Sequence, residues 1–438
     1  MTTSVTPRAR RTAQRPEAVH AEARHGRGHR SVTVFTVATV LGLVHAVDDA
    51  LLHRQPGVPL SQHLPALVVV LAVTVPVLLL FSRMRTGLQA AAALAIGAVS
   101  LTNGGLHLAH VVVDRPTGSD LTGVVAAGAG VVLLLLAAWL PVTRRGERPS
   151  RRPRRWAVRA LVTATVVLLV PTVLVPVCVG IGQTHLYRTP VGAPPDGFDA
   201  VSFASRDGLE LSGWYRASAN GAAVILVNTA GGDRLGSVQH ARLLARHGYG
   251  VLLYDARGAG ESEGSPNGYG WDWEHDLRGA LDFLETRPDV APERIGALGL
   301  STGADVAIAT AAVDDRLRAV VADGATVRSF GDIPPEDRWA NASMAPLMAT
   351  VRVLSGSDPG PRLVDLVEEV SPTPLLLVAA GSIPGEIAVN EGYAAAAQEP
   401  VELWSLPDAA HTAAIRDEAA AYERRVVGHF DAALLGTP

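Results

Sequence analysis

Hydrophobic positions follow two different patterns along this chain. Up to about residue 182 they form long unbroken runs: Ser31 to Leu52, Leu64 to Phe81, Leu88 to Val113, Leu121 to Val142 and Trp156 to Ile181. Each run is long enough to cross a hydrocarbon layer of ~30 Å as a helix. After Tyr187 the apolar runs shorten to strand length, alternate with amphipathic stretches, and are punctuated by Gly, Pro and Asp. This second pattern predicts a hairpin of strands Phe198 to Ala204 and Leu209 to Tyr215. Further strands are expected at Ala223 to Val227, Val251 to Tyr254, Arg294 to Leu300, Ala319 to Ala322, Pro374 to Ala379 and Val401 to Leu406. Between and after them the pattern predicts helices at Ser237 to His247, Trp273 to Glu285, Thr302 to Ala312, Glu386 to Gln398 and Ala413 to Leu435. Such alternation implies a doubly wound, mostly parallel sheet, with reactive groups at the carboxyl ends of its strands.

The expected organisation is a basic tail over residues 1–30, a five-span helical membrane bundle over 31–182, a linker over 183–197, and an α/β domain over 198–438. An insertion at about 327–371 interrupts the α/β pattern with Trp339, Met344, Met348 and several prolines. It is expected to cap the site and to favour an apolar substrate portion.

Composition supports a membrane part: the mean hydropathy is positive and only 18% of residues are charged. Arginine placement orients it. Arg8, Arg10, Arg11, Arg15, Arg24, Arg27 and Arg30 precede the first run, and Arg144, Arg145, Arg148, Arg151, Arg152, Arg154 and Arg155 follow the fourth. Both clusters belong in the cytoplasm, so five spans put the carboxy-terminal domain outside a multi-pass cell-membrane protein. Because the basic residues already have this topological role, no nucleic-acid partner is implied. The lone Cys178 excludes an intrachain disulfide, and oligomeric state is not encoded in any pattern here.

Candidate chemistry begins at Gly299-Leu-Ser301-Thr-Gly303, a Gly-x-Ser-x-Gly between a predicted strand and a predicted helix. The order reads as a nucleophile elbow, in which small residues permit a sharp turn that presents the serine. With Tyr254-Asp-Ala-Arg-Gly-Ala-Gly-Glu-Ser-Glu-Gly264, Leu406-Pro-Asp-Ala-Ala-His411 and Gly213-Trp-Tyr215, the region from Phe198 onward resembles the α/β-hydrolase family, in its serine esterase and serine-peptidase-like branch. The resemblance implies Ser301 as nucleophile and His411 as base. It departs from the family after the strand ending at Ala379, where Ala380-Gly-Ser-Ile-Pro-Gly385 offers no carboxylate before Glu386. Glu386 is the first candidate for the acid that orients the imidazole, Asp323 the alternative and Glu391 the third. Oxyanion donors are expected at the Thr302 N–H and at Ala230 or Gly231, in the loop Asn228-Thr-Ala-Gly-Gly232 where the family commonly has His-Gly. Asp255, Arg257 and Ser262 are assigned to loop architecture. His185, His240, His247, His275 and His429 are assigned to structural or surface positions.

The membrane half holds His45, Asp48, Asp49 and His53 near the end of the first run and His107, His110 and Asp114 near the end of the third. They read first as polar residues bonding between helices or reaching water, and second as a metal site of His45, Asp49, His107 and His110. The sequence therefore points to a membrane-anchored serine hydrolase, needing no metal or organic cofactor, that cleaves an ester, thioester or amide of a small-molecule, lipid or peptide acyl substrate through an acyl-enzyme. A non-catalytic hydrolase-like sensor or binding module coupled to the membrane half, and an acyltransferase, are the alternatives it leaves open.

Overall fold

The structure is a computed structural model that describes residues 16–53, 60–113, 120–143, 165, 168–186, 188, 190–264, 267–333, 335, 338–339 and 341–436. Packing divides it into two units. The first is built from α1 (Pro16–Val47), continued by a π-helical turn Asp48–Leu52, α2 (Leu60–Leu80), α3 (Thr86–Val113) and α4 (Asp120–Thr143). Small residues let α3 and α4 approach closely, since a side chain on Gly104 would strike the backbone of Gly123 and Ala127. Phe35 and Phe81 stack at 3.6 Å and close the other end, over Leu133 and Leu140.

Among the described residues two helices are long and apolar enough to cross a membrane, His29–Leu52 and Asp120–Pro141. The apolar helices Leu67–Arg83 and Thr172–Thr184 are shorter. The five-span count expected from the sequence is therefore not reached by length and composition here. Most of the expected fifth span before residue 168, the basic cluster 144–155 and Asp114 lie outside the described residues.

The second unit opens with α5 (Val175–Thr184) and is dominated by an eight-stranded sheet in the order β1-β2-β4-β3-β5-β6-β7-β8. The strands are β1 (Asp199–Ala204), β2 (Glu210–Arg216), β3 (Ala223–Val227), β4 (Gly250–Tyr254), β5 (Ile295–Leu300), β6 (Val320–Asp323), β7 (Leu375–Ala380) and β8 (Val401–Leu406). β2 runs antiparallel to both β1 and β4, and the remaining pairs are parallel. The central strands are buried on both faces and are apolar except for Asp323 at the end of β6. Ala223, Ile225 and Val227 enter one core while Val224 and Leu226 enter the other, the period-two alternation of a strand. One face is covered by α7 (Trp273–Glu285), α8 (Thr302–Ala311) and α10 (Glu386–Ala396), the other by α6 (Val238–Arg246) and α11 (Ala419–Phe430).

Two expected elements come out differently. The last helix is not continuous from Ala413: a short turn Ala414–Asp417 stops at Glu418 (φ −128°, ψ 39°) before α11 begins. Asp417 Oδ2 accepts from the Ala410 N–H at 3.1 Å, which closes the loop carrying His411 onto this turn. The expected cap contains α9 (Met344–Ser355), ended by Gly356 at φ 72°, but its last stretch returns Leu363, Val367 and Val370 to the core beneath the sheet.

Candidate active site

Sheet geometry brings the motif residues together at one edge. β5 delivers Ser301 with φ 53° and ψ −120°, and α8 starts at the next residue. A Cβ on Gly299 would strike the backbone of Gly303, and one on Gly303 would strike the carbonyls of Val227 and Asn228, so both glycines are required by close approach. The Ser301 N–H donates to the Asp323 carbonyl of neighbouring β6 at 2.8 Å, which fixes the turn. Thr302 begins α8, and the first N–H groups of a helix have no acceptor within it. That end of the helix dipole also favours negative charge.

His411 lies in the loop after β8. Its imidazole packs on Gly324, the residue after Asp323, where a Cβ would sit 2.7 Å from His411 Cε1. The contact ties the imidazole to the backbone that anchors Ser301. Nδ1 of His411 is 2.7 Å from Glu386 Oε2, and the other carboxylate oxygen accepts the Ala380 N–H at 2.8 Å. Glu386 is buried while the imidazole is about one-fifth exposed. Ser382 Oγ accepts the His411 N–H at 2.8 Å, a support that the sequence does not single out.

The alternative acid sits differently. Asp323 is buried, and burial pushes its carboxyl up to about 7. It lies beside Tyr422, where Asp323 Oδ2 and the Tyr422 hydroxyl have no hydrogen bond of good geometry among the described residues. It faces His411 and Glu386 through space only. Glu391, an exposed residue of α10, makes no contact with the imidazole among the described residues.

The loop carrying Ala230 and Gly231 is anchored by Asn228, whose Nδ2 donates to Tyr254 O at 2.9 Å and whose Oδ1 accepts from Ser237 Oγ at 2.7 Å. Gln183 of α5 stands against it, with Oε1 3.7 Å from the position of a Cβ on Gly231. The Asp255 region is architectural. Asp255 accepts from the Arg234 N–H and Nη1 and the Glu261 N–H, while Ser262 Oγ donates to Asp255 O. Arg257 is held between Asp276 and Asp207. His240 is buried against the Tyr422 ring, His429 is half-buried, and His247 pairs with Glu423.

Backbone strain concentrates at this edge. Among the described residues, Tyr269, Ser301 and Thr412 are the non-glycine positions with positive φ. Ser301 is the elbow, Thr412 follows His411, and Tyr269 lines a small cavity with Thr302. Such conformations cost about 1–3 kcal/mol each and collect where a surrounding structure imposes a functional geometry.

In the first unit the polar residues pair among themselves. His107 Nδ1 is 3.0 Å from Asp120 Oδ1, both fully enclosed. His45 Nδ1 is 3.1 Å from Thr122 Oγ1, which donates to Asp48 Oδ2 at 2.6 Å, and Asp48 Oδ1 is 2.8 Å from His53 Nδ1. The His45 and His107 rings meet edge to face at 4.6 Å. Asp49 Oδ1 is buried without a hydrogen bond. Among the described residues no group of three or more His, Cys, Asp or Glu is arranged to hold a metal ion, and the His110 side chain lies outside those described.

Comparison with known proteins agrees with the fold of the carboxy-terminal domain. The model of the X-Pro dipeptidyl-peptidase (S15) family matches residues 188–348. The chain is 32% identical over 225 residues to the Mycobacterium tuberculosis H37Rv protein Rv2307c, covering 50% of this chain and 73% of that protein. The carboxy-terminal domain belongs to the α/β-hydrolase family. This hydrolase domain is also 30% identical over 187 residues to thiohydrolase aneE of Aspergillus aculeatus, covering 41% of this chain and 58% of the thiohydrolase. The structure of the Pyrococcus furiosus esterase Pf2001 aligns with 57% of this chain and 98% of its own, at 21% identity and a TM-score of 0.47. Hydrolase-type chemistry is the activity class that the family model and the thiohydrolase support.

Proposed function

We propose that this is a membrane-anchored serine hydrolase that cleaves an ester, thioester or amide through an acyl-enzyme, with Ser301 as nucleophile, His411 as base and Glu386 as the acid that orients it. The observation that carries the reading is the conjunction of a strained Ser301 elbow with a His411–Glu386 pair 2.7 Å apart, tied to one another through Asp323 and Gly324. With Nδ1 engaged by a buried carboxylate, Nε2 is the nitrogen left to take the serine proton. In the forward step the Ser301 oxygen attacks the acyl carbon and its proton passes to His411. The tetrahedral oxyanion is received by the Thr302 N–H and a donor from Ala230 or Gly231. Collapse breaks the acyl bond, and the leaving group takes the proton from His411. Water, activated by the same imidazole, then frees the acid.

Five spans and an extracytoplasmic catalytic domain are the topology we infer. The two membrane-length helices and the arginine clusters on either side of the apolar runs support it. The test is labelling of membranes by a fluorophosphonate probe. Wild type is expected to label and Ser301→Ala not to. A folded wild type that does not react would overturn the catalytic reading in favour of a hydrolase-like binding module.

A further inference from the structure

The cap helix α9 links the nucleophile to the last apolar helix before the sheet. Its inner face, Leu347, Met348 and Val351, packs with Trp271, and Tyr269 and Val327 flank that cluster. Tyr269, Gly270 and Trp271 in turn line a small cavity against Thr302. Gly270 approaches so closely that a side chain there would strike Thr302. The opposite flank of α9 meets α5, where a Cβ on Gly180 would lie 2.9 Å from Thr350 Cβ and 3.0 Å from Leu347 O. α5 touches the site a second time, through Gln183 against Gly231 and through Thr184 O, which accepts the Asn267 N–H at 2.6 Å.

α5 is apolar around most of its circumference, but only part of it is covered. Val175 and Val179 remain 50% and 42% exposed, Val353 of α9 is 82% exposed, and Trp339 of the cap is 90% exposed. An apolar face of this kind marks an interaction surface. The occupant it fits is hydrocarbon, because α5 completes a stretch from Ala160 to Gln183 without one charged residue, and Trp339 beside Arg338 has the amphipathic character that settles at a membrane interface. The charges on the α9 side, Arg352 and Asp358, are exposed and pair with each other at 2.8 Å.

We propose, resting on the serine-hydrolase reading above, that the outer face of α5 and α9 lies in the lipid bilayer and that the substrate is a long-chain acyl ester resident in that leaflet. The acyl chain leaves the hydrocarbon along α9, placing its ester carbon at Ser301. Ser301 Oγ bonds to that carbon, its proton passes through His411 to the departing alcohol oxygen, and the C–O bond to the alcohol breaks. Water then releases the fatty acid.

The test uses the full chain reconstituted in phosphatidylcholine vesicles, with soluble 4-nitrophenyl butyrate compared against 4-nitrophenyl palmitate dissolved in the vesicles. Placing a carboxylate in apolar lipid is unfavourable, so Val353→Asp is expected to cut palmitate turnover about tenfold and to leave butyrate turnover within about twofold. Wild type that hydrolyses butyrate but not palmitate overturns the lipid substrate and leaves the hydrolase standing, as does a Val353→Asp variant that changes both esters equally or neither. Wild type inactive on both and unreactive to the fluorophosphonate overturns the hydrolase reading and this inference with it. Independently of turnover, brominated phosphatidylcholine is expected to quench a fluorescence component that Trp339→Phe removes; equal quenching in both proteins overturns the bilayer contact.

Discussion

Two of the carboxylate–imidazole pairs among the described residues, His107–Asp120 and His411–Glu386, have nearly the same geometry and opposite prospects. His107–Asp120, bridging α3 and α4, spans 3.0 Å with its side chains 2% and 0% exposed. His411–Glu386, bridging the loop after β8 and the start of α10, spans 2.7 Å with 21% and 2% exposure. The local chemistry is the same, a carboxylate fixing an imidazole tautomer. What differs is the far side of the ring. His107 faces another imidazole, His45, inside a helical unit, whereas His411 faces partial solvent beside the backbone that anchors a strained serine. A paired histidine becomes a base when access and a nucleophile are supplied to its second nitrogen; enclosed, it is a cross-link between helices.

The largest effect expected from this contrast is at the nucleophile. Ser301→Ala or His411→Ala should lower kcat by about 10⁶-fold, with the double variant no worse, because the residues act as a unit. Additive losses in kcat would separate them into independent roles. Next comes the carboxylate. Glu386→Gln preserves shape but permits the wrong tautomer and should cost about 10⁴-fold in kcat. Asp323→Asn, which has no hydrogen bond to the imidazole, should remain far more active. The second variant also carries a stability signature. The folded carboxyl of Asp323 is raised to about 7, so it favours folding below the unfolded value near 4 and loses that contribution as pH rises through about 7. Relative to wild type, Asp323→Asn should therefore gain Tm between pH 5 and 8. A flat Tm difference across that range, or activity lost in Asp323→Asn and kept in Glu386→Gln, would reassign the acid.

Much of the hydrolase domain was legible because its signals are backbone signals. Apolar runs bounded by turns located all eight strands to within a residue or so, most sharply β3, β4 and β5, which are buried on both faces. The glycines around Ser301 announce a turn that no other residue fits. Glu386 was readable as the partner of His411 because it is the first carboxylate after β7. The pairing of His107 with Asp120 was not readable, nor was the Thr122 bridge between His45 and Asp48, because those contacts depend on how three helices are rotated about their axes. Nor does any pattern announce Gln183 against Gly231 or the break at Glu418. The contact of Gln183 is tertiary and leaves no period in the sequence.

A smaller effect sharpens the link between base and nucleophile. Gly324 has φ 75°, and a methyl group there would press on His411 at Cε1 and Nδ1. Gly324→Ala should displace the imidazole by a fraction of an ångström while leaving the sheet intact, lowering kcat by about 10–100-fold with little change in KM. A variant of wild-type kcat would mean that the imidazole does not depend on this contact for its position.

The smallest effect on turnover is expected at the other pair, and it bears most directly on the comparison. His107→Ala leaves the enclosed Asp120 carboxylate without its imidazole, which should destabilise the helical unit by about 3 kcal/mol, read as a lower unfolding temperature of that unit. Hydrolysis of a soluble ester by the hydrolase domain should stay within about twofold, because nothing in the chemistry at Ser301 requires the bundle pair. If turnover instead fell with the His107 imidazole while the hydrolase domain kept its own unfolding transition, the enclosed pair would be more than a cross-link. It would then be part of a coupling between the helical unit and the site, and exposure would no longer suffice to distinguish the two pairs.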